Sequence, residues 1–241
     1  YAQIDHSTGK PILKRAKDLN KDQTYFLSQL QTEQLKDVIF PIGVLEKKQV
    51  RELALEAGLA TATKKDSTGI CFIGERHFSE FLSNYLPAQK GDMRRLDGTY
   101  IKEHYGLMNY TIGQRKGLGI GGTKESTDAW YVVGKDLKTN TLYVEPDGQH
   151  PHLYSNSALI TEVVWRKERV DGPMTAKFRY RQPDQDVHVK FINDNEILVT
   201  YPQGIHSVTP GQACVFYQGD VCVGSGFIQT AYFDGKERLY S

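Results

Sequence analysis

The sequence has 241 residues, 39% of them hydrophobic, and 30 basic residues nearly balance 29 acidic ones. This length can bury a sizeable core in about two or three compact units. The near-neutral charge excludes a protein coated in positive charge, so any nucleic-acid site must be a local patch. No apolar run approaches the roughly 18 to 20 residues of a membrane span, and the first residues lack the pattern of a signal peptide.

The chain has three cysteines, Cys71, Cys214 and Cys222. This low and odd number fits a reducing cytoplasm better than a disulfide framework. Neither the cysteines nor the histidines have metal-site spacing, so no metal is expected. The chain opens on Tyr1 rather than Met, in what we interpret as the end of a strand. We therefore expect a fragment of a longer protein.

The first part of the chain has an α/β pattern. Residues 22–30 predict a short helix with Asn20 as its N-cap, burying Phe26, Leu27 and Leu30. Each of these apolar side chains falls on one helical face. This stretch is therefore expected to pack against the core.

Two further elements are predicted before the first cysteine. Residues 38–42 are a short apolar run that predicts a strand interrupted by Pro41. Residues 46–57 predict the clearest helix, followed by Gly58 as a C-terminal cap. Its apolar side chains recur at helical spacing: Val50, Leu53, Ala54 and Ala57.

Beyond the first cysteine the pattern changes from helical to extended. Residues 78–85 predict a helix that Pro87 ends. Residues 130–133 and 141–144 predict a hairpin, and residues 146–148 mark a boundary. From about residue 156 the chain alternates apolar with polar residues in short strands, which predict a small closed barrel. The strands are residues 178–181, 187–191, 196–200, 213–217 and 221–224.

Cys71 lies between Gly69 and Gly74 in a cationic stretch. Cations and a helix N-terminus favour the reactive thiolate, and Arg76 and His77 follow closely. The pattern fits equally well a structural cysteine in a short buried strand. By contrast, Cys214 and Cys222 alternate with valines in predicted barrel strands, and we expect both to be core residues.

Two other patterns could bind phosphate. The glycine-rich run 113–122 carries Arg115 and Lys116, but it matches no phosphate-loop fingerprint and could equally be a structural turn. In residues 176–181 period two puts three cations on one predicted strand face and Tyr180 on the other. Such a cationic face can contact RNA phosphates, and nearby aromatic groups can stack on exposed bases. The alternative is a solvated strand face, and Asp184 and Asp186 weaken the patch. The three cations are Lys177, Arg179 and Arg181.

Four motifs together closely resemble the tRNA-specific 2-thiouridylase family. They are KDQTYFL at 21–27, DSTGICFIG at 66–74, YTIGQRKGLG at 110–119 and FRYRQ at 178–182. They occur in the family's order, and the resemblance runs along the whole chain. It implies ATP-dependent replacement of the C2 oxygen of the wobble uridine in tRNA by persulfide sulfur.

The resemblance also implies an architecture and a set of site residues. It implies an α/β fold followed by mostly β structure: the tail of an α/β nucleotide-binding (PP-loop type) domain over 1–75, a central domain over 76–150 and a C-terminal β-barrel over 151–241. Cys71 would carry the persulfide, because a thiolate can accept and pass on sulfur. The residues implied to contact tRNA are Lys21, Asp22, Gln23, Arg179, Tyr180 and Gln212.

The sequence departs from the family pattern by an absence. It contains neither the Ser-Gly-Gly-x-Asp-Ser loop that binds ATP nor, in matching context, the second cysteine that resolves the persulfide. We therefore expect ATP to bind mainly in a missing upstream part, and the fragment alone to be inactive. The expected partners are tRNA and a sulfur-donor or sulfur-relay protein in the cytoplasm, with no membrane.

Two other classes of function remain open from the sequence. One is a non-catalytic RNA-binding module in which Cys71 is structural. The other is a cysteine hydrolase, although no histidine with an Asn or Asp partner is placed to pair with Cys71 in a known pattern.

Overall fold

The computed structural model describes residues 1–64, 88–121 and 129–240. Cys71 and the predicted helix over 78–85 lie outside the described residues. In the part described, helices are short and strands dominate, and no helix there is long and apolar enough to cross a membrane. The helices are α1 (Thr24–Leu27), α2 (Thr32–Leu35) and α3 (Lys47–Glu56).

The strands form two sheets. They are β1 (Gln3–Asp5), β2 (Ile12–Lys14), β3 (Gly91–Arg94), β4 (Tyr100–His104), β5 (Tyr131–Asp136), β6 (Thr141–Glu145), β7 (Tyr154–Trp165), β8 (Gly172–Lys177), β9 (Gln185–Phe191), β10 (Ile197–His206), β11 (Ala213–Gln218), β12 (Val221–Phe233) and β13 (Lys236–Glu237). The larger sheet has nine strands in the order β1-β2-β12-β11-β8-β9-β10-β7, with β13 on β12. Because β12 also pairs with β7, the six strands β7 to β12 close into a barrel. The closed barrel predicted from the sequence is thereby confirmed.

Alternation of side chains explains the barrel strands. In β9, Val187 and Val189 are buried while His188 and Lys190 are exposed, as period two requires for a sheet with one buried face. The register pairs Val189 with Val199 of β10 in antiparallel fashion, so buried residues meet across strands. These pairs form the interior of the barrel wall.

The chain divides into two compact units. The first takes in the described residues within 1–66, 158–202 and 211–229. In it, β11 is buried over four successive residues, from Cys214 to Tyr217. Val215 and Tyr217 belong to an apolar cluster with Leu13 and Tyr25 of the N-terminal segment. Since β11 is covered on both faces, it shows a continuous apolar run instead of an alternating one.

The second unit takes in the described residues within 67–157, 203–210 and 230–241. Its four-stranded sheet has the order β4-β3-β6-β5. The hairpin of β5 and β6 that the sequence predicts is present, and β3 joins β6 in parallel. Leu142 and Val144 of β6 are fully buried and anchor this sheet.

Two predictions about the first unit are wrong, and a third is confirmed. Residues 38–42 do not form a strand: 38–40 have no regular structure, and a turn begins at residue 41, where Gly43 N–H donates to the Phe40 carbonyl at 3.1 Å. Helix α1 has only one turn, with Gln23 instead of Asn20 as N-cap, so it buries Thr24 and Tyr25 and leaves Phe26 62% exposed. Leu27 and Leu30 do pack against the core, as predicted. Helix α3 exists as predicted, but none of its residues is buried.

Candidate nucleic-acid interface

Tyr25 joins three of the segments in which RNA-binding residues are predicted. Its hydroxyl donates to the Ala213 carbonyl at 2.9 Å, next to Gln212. Its ring centroid lies 6.1 Å from that of Tyr180, and Tyr25 itself follows Gln23 by two residues. Segments far apart in sequence therefore meet around one buried side chain. Sequence patterns assign Tyr25 no role, and they predict that its neighbour Phe26 faces the core.

The Tyr25 hydroxyl keeps its proton over the physiological range. Burial raises the pKa of Tyr25 to about 12, with a further contribution from Cys214, while the positive charge of Arg179 acts in the opposite direction. The hydroxyl thus stays a hydrogen-bond donor to Ala213. It fixes the start of β11 against helix α1.

The predicted residues Lys21, Asp22 and Gln23 differ in what they present to solvent. Asp22 is only 4% exposed, and its carboxylate accepts from Ala16 N–H at 3.0 Å and from the Thr24 hydroxyl at 2.6 Å. Asp22 therefore holds the loop before α1 together. Lys21 is half-buried and Gln23 is exposed, so these two side chains are the ones placed to meet a ligand.

A polar network on the buried side of this loop holds it in place. The Thr24 and Tyr217 hydroxyls lie 3.1 Å apart, and the Arg15 guanidinium stacks 3.7 Å above the Tyr217 ring. Arg15 donates to Asp184 at 2.8 Å, and Lys177 Nζ lies 3.8 Å from the same carboxylate. Asp184, which the sequence predicts to weaken the cationic patch, is thus paired with two cations.

The predicted strand over residues 178–181 is wrong. Strand β8 ends at Lys177, and the chain turns: Gln182 N–H donates to the Arg179 carbonyl at 3.2 Å, and Arg181 has a φ of 66°. The turn arises because the Gln182 side chain accepts from Phe178 N–H at 2.9 Å, which competes with strand pairing. Lys177 and Arg181 still come together, through a turn instead of a strand face.

The turn and the loop before α1 enclose a groove of about 460 Å³. Three cations from separate parts of the chain line it, and none of its described lining residues is acidic. The lining residues are Leu19, Asn20, Lys21, Lys177, Arg181, Gln182 and Pro183. Such a groove suits a polyanion, since the cations can neutralise phosphates. We refer to it as the cationic groove.

Aromatic rings lie beside the cationic groove. The Phe26 and Tyr180 ring centroids are 4.4 Å apart with an interplanar angle of 48°. The Arg181 guanidinium carbon lies 5.4 Å from the centre of the Tyr180 ring. Gln212 is exposed in the turn before β11, where its carbonyl accepts from Ile228 N–H at 2.9 Å. Arg179 is half-buried next to Tyr180.

The glycine-rich run, within the second unit, is described up to residue 121, and there it is built as a turn. Gly113 N–H donates to the Val132 carbonyl at 2.8 Å, and the Gln114 side chain accepts from Thr111 N–H at 2.9 Å. These two amides are therefore not directed at a phosphate. Over the described residues, the geometry favours the structural interpretation.

Cys214 and Cys222 are both buried and carry free thiols, as predicted for core residues. The Arg166 guanidinium donates to the Ser28 and Leu30 carbonyls at 2.7 and 2.8 Å and lies 3.1 Å from the Cys222 sulfur. It thereby ties the end of the α1 segment to β12. Among the described residues, no group of His, Cys, Asp and Glu side chains could hold a metal ion.

Three family models match the chain one after another. Their descriptions are tRNA methyl transferase HUP domain for residues 1–75, tRNA methyl transferase PRC-barrel domain for 79–146, and aminomethyltransferase beta-barrel domain for 155–228. Together with the closed barrel, they confirm the predicted fold class: part of an α/β nucleotide-binding domain, a central domain and a C-terminal β-barrel.

Curated relatives match all of this chain. A protein of Acholeplasma laidlawii (strain PG-8A) named tRNA-specific 2-thiouridylase MnmA is 70% identical over 241 residues, which cover 64% of that relative. Proteins of the same name are 58% identical in Phytoplasma australiense and 55% identical in Bacillus pumilus (strain SAFR-032), with 64% and 65% of their lengths covered. The chain thus spans less than two thirds of the length of these relatives.

Proposed function

Because the chain belongs to the tRNA-specific 2-thiouridylase family, we propose that its protein replaces the C2 oxygen of the wobble uridine in tRNA with sulfur. The observation that carries this proposal for the described residues is the convergence around Tyr25. There, exposed Gln23 and Gln212, half-buried Tyr180 and the cationic groove share one compact unit. This surface has the cations and ring faces that bind RNA.

We assign the predicted tRNA contacts to two kinds of role. Lys21, Gln23, Arg179, Tyr180 and Gln212 would contact the tRNA. Asp22 would act indirectly, because its buried carboxylate fixes the backbone that carries Lys21 and Gln23. Its contribution is positioning rather than contact.

Cys71 is the proposed sulfur carrier. Its neighbouring cations favour a thiolate, and the other two cysteines are buried, which makes them poor nucleophiles. The Cys71 thiolate would attack the outer sulfur of a donor persulfide, so that the donor thiolate leaves and Cys71 becomes the persulfide. A second thiolate would then break that S–S bond, leaving a disulfide and releasing hydrosulfide, which replaces the activated C2 oxygen.

The described part of the glycine-rich run does not fit the phosphates of ATP. The glycine-rich run uses the Gly113 amide inside the chain, and the sequence has no Ser-Gly-Gly-x-Asp-Ser loop. ATP would supply activation of the C2 oxygen, and we assign its site, with the second thiol, to the part of the relatives that these residues do not match. We expect these 241 residues alone to bind tRNA without thiolating it. The sulfur donor would be another protein, and free thiols favour the cytoplasm as the place of action.

The test measures sulfur on Cys71 and 2-thiouridine in tRNA. The protein is prepared at the full length of its relatives and treated with a persulfide donor. The mass of the peptide that contains Cys71 is then measured before and after a reducing agent is added. We expect a reducible gain of one sulfur atom on Cys71, and loss of 2-thiouridine formation in Cys71→Ser.

The matched control is Cys214→Ala, which removes a buried thiol and should keep both signals. A protein that binds tRNA but gains no sulfur on Cys71, or a Cys71→Ser variant that still thiolates tRNA, would contradict the proposal. The first outcome would favour an RNA-binding module with a structural cysteine.

A further inference from the structure

We propose that Phe26 and Tyr180 form a platform on which an unpaired base of the tRNA stacks, with the adjoining phosphates in the cationic groove. This inference rests on the proposed function and extends it. It adds Phe26, Lys177 and Arg181 to the binding surface, and it specifies an unpaired nucleotide as the ligand.

The platform is exposed but rigidly supported. Phe26 is a large apolar side chain that is 62% exposed, although its neighbour Tyr25 is 9% exposed. The Tyr25 ring meets the Phe26 ring edge-on, with centroids 5.6 Å apart, and the Tyr25 hydroxyl is fixed to Ala213. Phe26 therefore lies against ordered aromatic groups while much of its own surface faces water. Such an arrangement costs little conformational entropy when a flat ligand binds.

Charge selects the class of ligand. Arg181 belongs both to the platform, 5.4 Å from the Tyr180 ring centre, and to the lining of the cationic groove. Lys21 and Lys177 line the same groove. The Asp184 carboxylate, 3.8 Å from Lys177 Nζ, is not among its described lining residues, and Arg15 also pairs with it at 2.8 Å. Ring faces for bases next to cations for phosphates are the combination that binds single-stranded nucleic acid. An apolar peptide would gain nothing from the three cations.

The ligand must be an unpaired nucleotide. In an RNA helix the bases are stacked on one another, so a protein ring can reach a base face only in loops, bulges and ends. We therefore assign the platform to a loop of the tRNA instead of a stem.

The test uses Phe26→Leu and Phe26→Trp, with an unmodified tRNA transcript as the probe. Leu keeps the apolar bulk but has no ring face, whereas Trp keeps the face. We expect Phe26→Leu to bind the tRNA about tenfold more weakly at fixed salt, and Phe26→Trp to bind it as the unchanged protein does. The control is Tyr105→Leu, since Tyr105 is also 62% exposed and has Lys90 Nζ 5.6 Å from its ring centre.

A second pair of variants tests the cationic groove. Arg181→Gln should reduce the slope of log affinity against log salt by about 0.7, as expected for one lost phosphate contact to a single strand. Lys48→Gln, at an 86% exposed side chain on α3, should leave the slope unchanged. Equal affinity of Phe26→Leu and the unchanged protein would overturn the platform, as would an equal loss in Phe26→Trp. If the unchanged protein fails to bind tRNA, the proposed docking surface is overturned as well.

Discussion

At the scale of single residues, burial separates the cysteines by chemistry. Cys214 is fully buried, and burial raises the pKa of its thiol far above the ordinary value. Burial also raises the pKa of Cys222 from 9.0 to about 11, although the nearby Arg166 charge opposes the shift. Both thiols therefore stay protonated at neutral pH, whereas a sulfur carrier has to react as a thiolate. This is why a count of three cysteines still points to one.

The two buried thiols should resist alkylation in the folded protein. At mildly alkaline pH we expect iodoacetamide to label Cys214 and Cys222 only after denaturant is added, as measured from peptide masses. Because the folded pKa of Cys222 is raised, its stabilising effect is complete below pH 9.0 and is lost as pH rises towards about 11. Labelling of either residue at equal rates with and without denaturant would show that the barrel opens readily.

At the scale of elements, the space around each glycine of the glycine-rich run determines whether a larger residue can replace it. Gly113 and Gly117 have nearly equal φ values of +79° and +80°. A Cβ on Gly113 would lie 2.1 Å from the Ser207 hydroxyl, whereas on Gly117 its nearest neighbour would be the Gln114 amide at 3.7 Å. The backbone strain of an Ala substitution is thus similar at both positions. Only Gly113 adds a steric clash.

Gly113→Ala should therefore destabilise the protein more than Gly117→Ala. Left-handed backbone costs about 1–2 kcal/mol for a residue with a Cβ, and overpacking adds roughly 1–3 kcal/mol at Gly113 alone. Urea unfolding of both variants measures the difference. Equal unfolding midpoints for the two variants would mean that Ser207 moves aside without cost. Packing would then not explain why a glycine occupies position 113.

Elements with a regular period were predicted well, and short connecting segments were not. Strands β9 and β10 follow from alternation, β11 follows from a short apolar run, and helix α3 follows from its period of apolar residues. Residues 178–181 also alternate, but the Gln182 side chain bonds the Phe178 amide and turns the chain. A side-chain hydrogen bond of this kind competes with strand pairing but produces no periodic pattern in the sequence, so it could not be predicted.

At the scale of the whole molecule, a net charge of +1 requires any RNA affinity to come from local cations. The cationic groove gathers Lys21, Lys177 and Arg181, and Arg179 lies in the same turn. Affinity should therefore depend on salt through a few contacts only. The rest of the surface should contribute little attraction.

Arg179→Ala should weaken tRNA binding and make it less dependent on salt. Losing one phosphate contact lowers the slope of log affinity against log salt by about 0.7–0.9. Titration of labelled tRNA at several salt concentrations measures this slope. An unchanged affinity at low salt would remove Arg179 from the docking surface. The exposed Lys190 of β9, changed to Ala, is the matched control.

The sequence by itself determined the fold class, four of the six barrel strands (β9 to β12) and the buried state of Cys214 and Cys222. These follow from periodicity and motif, because alternation and helical spacing are local properties that burial enforces. Only the tertiary structure decided that Asp22 is enclosed, that Phe26 is exposed and that Tyr25 links three distant segments. Each of these depends on what covers a side chain, which no local pattern records, and the partner of the Tyr25 hydroxyl, Ala213, is 188 positions away.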